Sequence, residues 1–470
     1  VDAAAAHRVG RQVSPALRVV CHSAGSYIAS FDKGVARRMK LLWFHLMPYT
    51  DLPEDFPEKY SSVWVDIDKG LFDPVKAHAM YNDFLDEAEY AAEVGFDGVC
   101  FNEHHANGYG LMPSPNLIAA TMTRRTRDAA ICVMGASLAL YNPPIRVAEE
   151  FAMLDLISGG RLIAGMPVGS PMDTAYCYSQ NPSMLRERYH EAHDLIVKAW
   201  TADEPFDWHG RHYQLANVNV WQQPLQDPHP PIWIPGGSSV ETWAWCAERD
   251  YLYSYLSYFG YKAARATMKG YWARMAELQK DENPFRAGFL QFVGVADSRE
   301  QAMELYREPA EYFYNVCLHL DARWAVAPGY QSELNTRLRT QSMVERAARE
   351  AAERSQKAKE AAQAKDSAQA GTSHRQSMEE IVERGYVIIG SPDEVAEQLR
   401  ELAVDLNVGN LMLLLQFGNM NRDLALHNTE RFAKEVAPQL WPLFEDRWEN
   451  SWWPKPVATP SRQLPREPGR

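Results

Sequence analysis

Glu103, His104 and His105 follow directly on Gly95-Phe96-Asp97-Gly98-Val99-Cys100-Phe101, an apolar run of the kind that forms a buried strand. A carboxylate beside two imidazoles can accept, hold and deliver protons near neutral pH, which is general acid–base chemistry. In a core without a task, the same three groups would only cost desolvation free energy. His and carboxylate are also good zinc ligands, yet this run is not His-Glu-x-x-His. Neighbouring residues of a strand point to opposite faces, so a metal site using both histidines is not expected.

A second constellation is Gly236-Gly237-Ser238-Ser239, between the apolar run Pro231–Ile234 and a helix beginning at Val240. Glycines let backbone N–H groups approach an anion closely, the helix start offers unpaired donors, and two hydroxyls add more. The reading is a phosphate grip; the plain alternative is a Ser-capped turn. A third stretch, Gly159-Gly160-Arg161 through Gly165 to Gly169-Ser170, is a helix stop, a strand and a loop of small residues where a flat ligand can meet backbone. The strand Val133-Met134-Gly135-Ala136-Ser137-Leu138 is thin in its middle, leaving room for a bulky neighbour or a planar ring.

The elements that must hold these residues alternate apolar strands with amphipathic helices, which predicts a parallel sheet. Strands are expected at 40–46, 97–102, 130–138, 161–166, 231–235, 250–254, 288–295 and 410–416. Eight strands so interleaved predict an α/β chain closed as a (β/α)8 TIM barrel, with chemistry at the C-terminal strand ends. Asp73-Pro74 and Ser391-Pro392-Asp393-Glu394 read as helix starts. Two insertions interrupt the alternation, about 167–230 and 298–385. The first holds a helix (183–200) and a hairpin around Gly210; the second holds Glu345–Ala370, a polar stretch read as helical or fluctuating without a core. Residues 1–38 read as a disordered extension, 39–441 as the barrel, and 442–470 as a tail that is loose from Trp452 on.

The chain has 470 residues, 46% apolar and 11% aromatic, ample for a large core. A net charge of −13 offers no basic stripe for nucleic acid. No apolar run nears the roughly 18 residues of a membrane span. Six scattered cysteines without a Cys-x-x-Cys pair read as reduced thiols, giving a cytoplasmic expectation.

Taken together, Gly95 to His105, Pro144-Ile145-Arg146-Val147-Ala148-Glu149-Glu150 through Leu154-Asp155 to Ser158-Gly159-Gly160-Arg161, Gly236 to Ser239, and Ile389 to Val395 resemble the bacterial luciferase-like flavin-dependent monooxygenases. The resemblance implies a luciferase-like barrel that oxidises a small-molecule substrate with reduced FMN and O2, with His104 as the catalytic acid/base and Glu103 as its companion. It implies Ala136 and Ser137 beside the flavin, joined by a cis peptide, and the Gly236, Gly237, Ser238 and Ser239 loop on the phosphate; Gly169 and Ser170 complete the expected cofactor set. The family's phosphate-pairing arginine after the fourth strand is matched here by Val168, leaving Arg188 or Tyr189 as replacements. Trp208, Tyr213 and Trp221 are expected as a roof. No Gly-x-Gly-x-x-Gly follows a strand, so a separate NAD(P)H:flavin reductase is the expected partner, and homo-oligomers are expected by family analogy. The rival readings are an F420-dependent oxidoreductase of the same fold, a flavin-binding protein without turnover, and a metal-dependent barrel hydrolase.

Overall fold

The computed structural model describes residues 39–457 apart from 238, 257, 449–450 and most of 322–374. The readings of 1–38 and of Glu345–Ala370 lie outside the described residues, as does Ser238. Strands β1 (Lys40–His45), β2 (Gly98–Phe101), β3 (Ala130–Val133) and β4 (Leu162–Gly165) are followed by a small hairpin, β5 (Phe206–His209) with β6 (Gln214–Val218). Then come β7 (Ile232–Gly236), β8 (Leu252–Tyr255), β9 (Ala287–Val295), β10 (Val387–Gly390) and β11 (Asn410–Leu414).

The parallel order β11-β1-β2-β3-β4-β7-β8 is closed by β9, which pairs with β8 on one side and β11 on the other. The result is the expected eight-stranded (β/α)8 barrel. Its strands are buried along nearly their whole length, as a sheet lined inside by side chains and outside by helices requires. One strand was not foreseen. β9 is nine residues long, and Phe292 to Val295 run on to pair with β10, which lies outside the closed ring. Val387-Ile388-Ile389 is too short a run to separate from the helix start behind it.

The helix starts follow the sequence. Asp73 accepts from the Val75 and Lys76 N–H groups, and Ser391 forms a capping box with Glu394. Gly159 ends its helix at φ 74°, in the left-handed region open to glycine. The motif around it clamps the barrel floor. Buried Arg161 donates to the carbonyls of Ser158, Ala129 and Thr123 and to the Thr126 hydroxyl at 2.7–2.9 Å. Asp155 accepts from the N–H groups of Leu225 and Gln226, both at 2.9 Å.

The expected loose tail is corrected for its described part. The Trp233 indole donates to the Trp452 carbonyl at 2.8 Å, and the Trp452 indole donates to the Asp250 carbonyl at 3.0 Å. Arg286 lies 4.2 Å over the Trp452 ring, and Lys40 lies over Trp448 and Trp453. Proline and arginine enrichment hid three tryptophans that seal the barrel floor. Trp452→Ala is expected to cost about 3–5 kcal/mol, the range for emptying a buried indole site. Urea unfolding measures it, and a loss below about 1 kcal/mol would mean the floor does not depend on this ring.

Candidate active site

The C-terminal ends of β2, β3, β4 and β7 are consecutive around the barrel, so His104, Ser137, Ser170 and Gly237 sit on one rim. His104 and His105 lie just past β2 and make different contacts. His105 is held at both nitrogens: Nε2 faces Glu103 Oε1 at 2.7 Å, and Nδ1 faces the Tyr178 hydroxyl at 3.3 Å. His104 turns its Nδ1 to Asp173 Oδ2 at 3.0 Å, and its Nε2 has no hydrogen-bond partner among the described residues. Its side chain is 13% exposed.

Glu103 therefore orients His105, not His104. Its other oxygen accepts from the Ser137 N–H and the Tyr141 hydroxyl, both at 3.1 Å. Burial first, and the Glu103 charge second, push the Tyr141 hydroxyl well above its ordinary range, so it stays a donor. The group that orients His104 is Asp173, which sequence reading missed. It lies in the π-helical segment Met172–Cys177, at the head of the first insertion, with nothing in its immediate sequence to mark it. Oδ1 accepts from the His105 N–H at 2.8 Å and the Trp64 indole at 3.4 Å, and Oδ2 accepts from the Ser170 hydroxyl at 2.7 Å. Burial pushes the Asp173 carboxyl up, but His104 and these donors outweigh it and hold it below the ordinary carboxylate value.

Aromatic rings cover His104. Trp64 stacks on Tyr109 at 4.0 Å, and both meet the imidazole edge-on, at 5.0 and 4.8 Å. Tyr109 donates its hydroxyl to Tyr258. None of these is the expected roof. Trp208 donates to Glu191 beneath the hairpin, Tyr213 lies under Arg188, and Trp221 is 83% exposed. The long segment between β1 and β2 carries Trp64, and its lack of periodicity concealed it.

The thin strand end is filled by neighbouring backbone. A Cβ on Gly135 would lie 2.4 Å from the Glu103 nitrogen, and one on Gly165 would lie 2.1 Å from the Val133 oxygen. Ala136 and Ser137 are buried at this crossing, and Ser137 packs against Gly169, whose φ is 95°. The cis peptide expected between Ala136 and Ser137 is absent: among the described residues, cis bonds occur at Asn142–Pro143 and Asp227–Pro228. The trans bond gives the Ser137 N–H a partner in Glu103.

At the β7 end, the Ser239 hydroxyl and Thr242 Oγ1 accept from the Arg186 guanidinium at 3.2 and 3.3 Å. Ser239 also donates to Glu241 at 2.9 Å. No carboxylate among the described residues pairs with Arg186. A Cβ on Gly237 would meet nothing within 4 Å among the described residues, so that side of the loop is open, while its carbonyl accepts from the Tyr253 hydroxyl. His190, one turn beyond Arg186, has a buried Nε2 without a hydrogen-bond partner among the described residues; burial first, then Arg186, holds it down to about 4. The two anticipated replacements are engaged elsewhere, Arg188 on the Ala139 carbonyl and Tyr189 on the Met166 carbonyl. Arg186 was overlooked because its position beside the loop depends on how the helix Leu185–Thr201 docks.

These features fit an FMN-like group. Arg186, Ser239, Thr242 and the Gly237 backbone match a phosphate in charge and donors. Asn102 Oδ1 and Gln416 Oε1, buried past the ends of β2 and β11, lack donors among the described residues and can accept from a polar ring or from water. A cleft of about 590 Å³ elsewhere is lined by Met268, Trp272 and Asp405 on the outer helices, and contains none of these groups.

A family model for luciferase-like monooxygenases matches residues 67–408. The 4-hydroxyprotoasukamycin monooxygenase of Streptomyces nodosus subsp. asukaensis is 24% identical over 370 residues, covering 76% of this chain and 86% of that one. The oxygenase component of the flavin-dependent trigonelline monooxygenase of Acinetobacter baylyi is 30% identical over 162 residues, covering 33% and 43%. The F420-dependent glucose-6-phosphate dehydrogenase of Amycolatopsis mediterranei is 28% identical over 170 residues, covering 34% and 48%. For most of these relatives the match spans less than half of the relative's own length. Among solved structures, the FMN-bound oxygenating constituent of 3,6-diketocamphane monooxygenase from Pseudomonas putida shares the fold, with a TM-score of 0.60 at 19% identity over 86% of this chain and 99% of that one. The chain belongs to the luciferase-like monooxygenase family.

Proposed function

We propose that this chain is the oxygenase half of a two-component monooxygenase, taking reduced FMN from a separate NAD(P)H:flavin reductase and oxidising a small organic substrate with O2. The observation that carries the reading is the free Nε2 of His104, on the same rim as an arginine-hydroxyl-glycine cradle. Two of the similar proteins are described as the oxygenating part of such systems, which supports a partner reductase. Reduced FMN, when bound, supplies the electrons that activate dioxygen. The protein's own residues do the rest. Arg186, Ser239, Thr242 and the Gly236-Gly237 backbone hold the phosphate. Trp64, Tyr109 and Tyr258 keep water from the imidazole, which strengthens every polar interaction there. His104 Nε2 takes or returns a proton at the reacting centre.

A second reading, hydride transfer with F420, rests on the F420-dependent relative and needs the same cradle and the same imidazole. Mixing the protein anaerobically with reduced FMN, then admitting oxygen, separates the two. The oxygenase reading expects bound flavin to reoxidise slowly, through a spectrum distinct from that of oxidised FMN. Rapid hydride exchange with F420 and no such spectrum would favour the second. In His104→Ala, reoxidation is expected to change by about 100-fold or more, the lower end for a positioned acid/base. Unchanged reoxidation would leave only a flavin-binding role.

Arg186→Ala tests the cradle independently of turnover. Loss of a charge-assisted hydrogen bond worth about 1.5–3 kcal/mol weakens FMN binding roughly 10- to 100-fold. Riboflavin, which lacks the phosphate, should bind both proteins equally. An equal loss for both ligands would place Arg186 outside the phosphate grip.

A further inference from the structure

We infer that Asp173 is a positioning residue that fixes the tautomer of His104, so that the ring nitrogen facing the reaction carries a lone pair. This rests on the acid/base role proposed above for His104. The Asp173 side chain is 2% exposed, yet no lysine or arginine pairs with it among the described residues. Its two oxygens instead collect four hydrogen bonds from three parts of the chain: Trp64, the backbone and side chain of the His104-His105 pair, and Ser170. A carboxylate held ionised accepts hydrogen bonds and cannot donate one. The nitrogen facing Oδ2, His104 Nδ1, must therefore carry the proton. Whenever the ring is neutral it has a single N–H, and Nε2 then keeps its lone pair.

The two oxygens divide the donors, and this makes an amide substitution informative. Oδ1 serves the His105 N–H and the Trp64 indole, both obligate donors; Oδ2 serves His104 and Ser170, whose groups can accept as well as donate. In Asp173→Asn the amide oxygen is therefore drawn to the Oδ1 side, and the amide NH2 takes the place of Oδ2. His104 Nδ1 must then accept, and the proton moves to Nε2. The substitution keeps shape and removes one charge, yet reverses the face that the imidazole offers. The π-helical turn that carries Asp173 fits such a task, since these turns are frequent at functional sites. Asp173 also joins the loop after β4 to the end of β2. A purely structural role in that junction would require the donors to be satisfied, and would not depend on which His104 nitrogen is protonated.

The experiment is a long-range ¹H–¹⁵N spectrum of the full chain labelled at histidine, with the His104 signals assigned by their loss in His104→Gln. The wild-type ring is expected to show a protonated Nδ1 and a bare Nε2. Asp173→Asn, with its fold checked by circular dichroism, is expected to show the reverse. Its reoxidation of bound reduced FMN should approach that of His104→Ala within about tenfold, while FMN affinity holds. A wild-type ring protonated at Nε2 overturns the inference by itself, even if Asp173→Asn fails to fold. An unchanged tautomer in a folded Asp173→Asn overturns it too. Failure of either protein to bind reduced FMN would count against the oxygenase reading and leave the tautomer result standing.

Discussion

The mouth of this barrel depends on two buried carboxylates that no lysine or arginine among the described residues reaches. Taking a carboxylate out of water costs several kcal/mol unless hydrogen-bond donors replace the lost hydration. Glu103 and Asp173 obtain donors from every neighbouring segment. Glu103 binds the end of β2 to β3 through the Ser137 N–H and to the loop beyond through Tyr141. Asp173 binds the loop after β4 back to β2, and draws in Trp64 from the segment before β2. Rim loops that would otherwise move independently are thus tied to shared anions.

Such close packing needs missing side chains. The β2 backbone at Glu103 passes where Gly135 would carry a Cβ, and the β3 backbone passes where Gly165 would carry one. The small residues read as space for a ring are first of all space for main chain, without which Glu103 could not reach the Ser137 N–H. The interaction that satisfies Glu103 therefore requires glycine some thirty residues away, and the two features stand or fall together.

Much of the fold was legible. The barrel strands are continuous apolar runs buried on both sides, and the helices announce themselves with Asp-Pro and Ser-Pro-Asp-Glu starts. β10 and the tryptophan floor were not, because each depends on tertiary partners: the overhang of β9, and the exposed bottom of the barrel. The same division holds at the site. His104, Glu103 and the Gly-Gly-Ser-Ser loop stand out as residue types at strand ends, where topology alone gathers them. Asp173 and Arg186 are ordinary residues of the first insertion and Trp64 of the segment between β1 and β2, and their contacts depend on how those segments dock. Arg188, the arginine expected from sequence, lies only two residues from Arg186, but two residues along a helix turn a side chain by more than half a circle.

The pair of histidines shows how hydrogen-bond accounting assigns roles that residue type cannot. Both lie past β2, and each faces a buried carboxylate. His105 has its second nitrogen on Tyr178, so any proton it moved would break an existing contact. His104 has one nitrogen committed and, among the described residues, one without a partner, beside the rings of Trp64 and Tyr109. An acid/base group needs that asymmetry: one side fixed enough to set geometry, the other open enough to react. The Glu-His-His run thus divides into a framework half, Glu103 with His105, and His104, whose fixed side is supplied by Asp173 from another part of the chain.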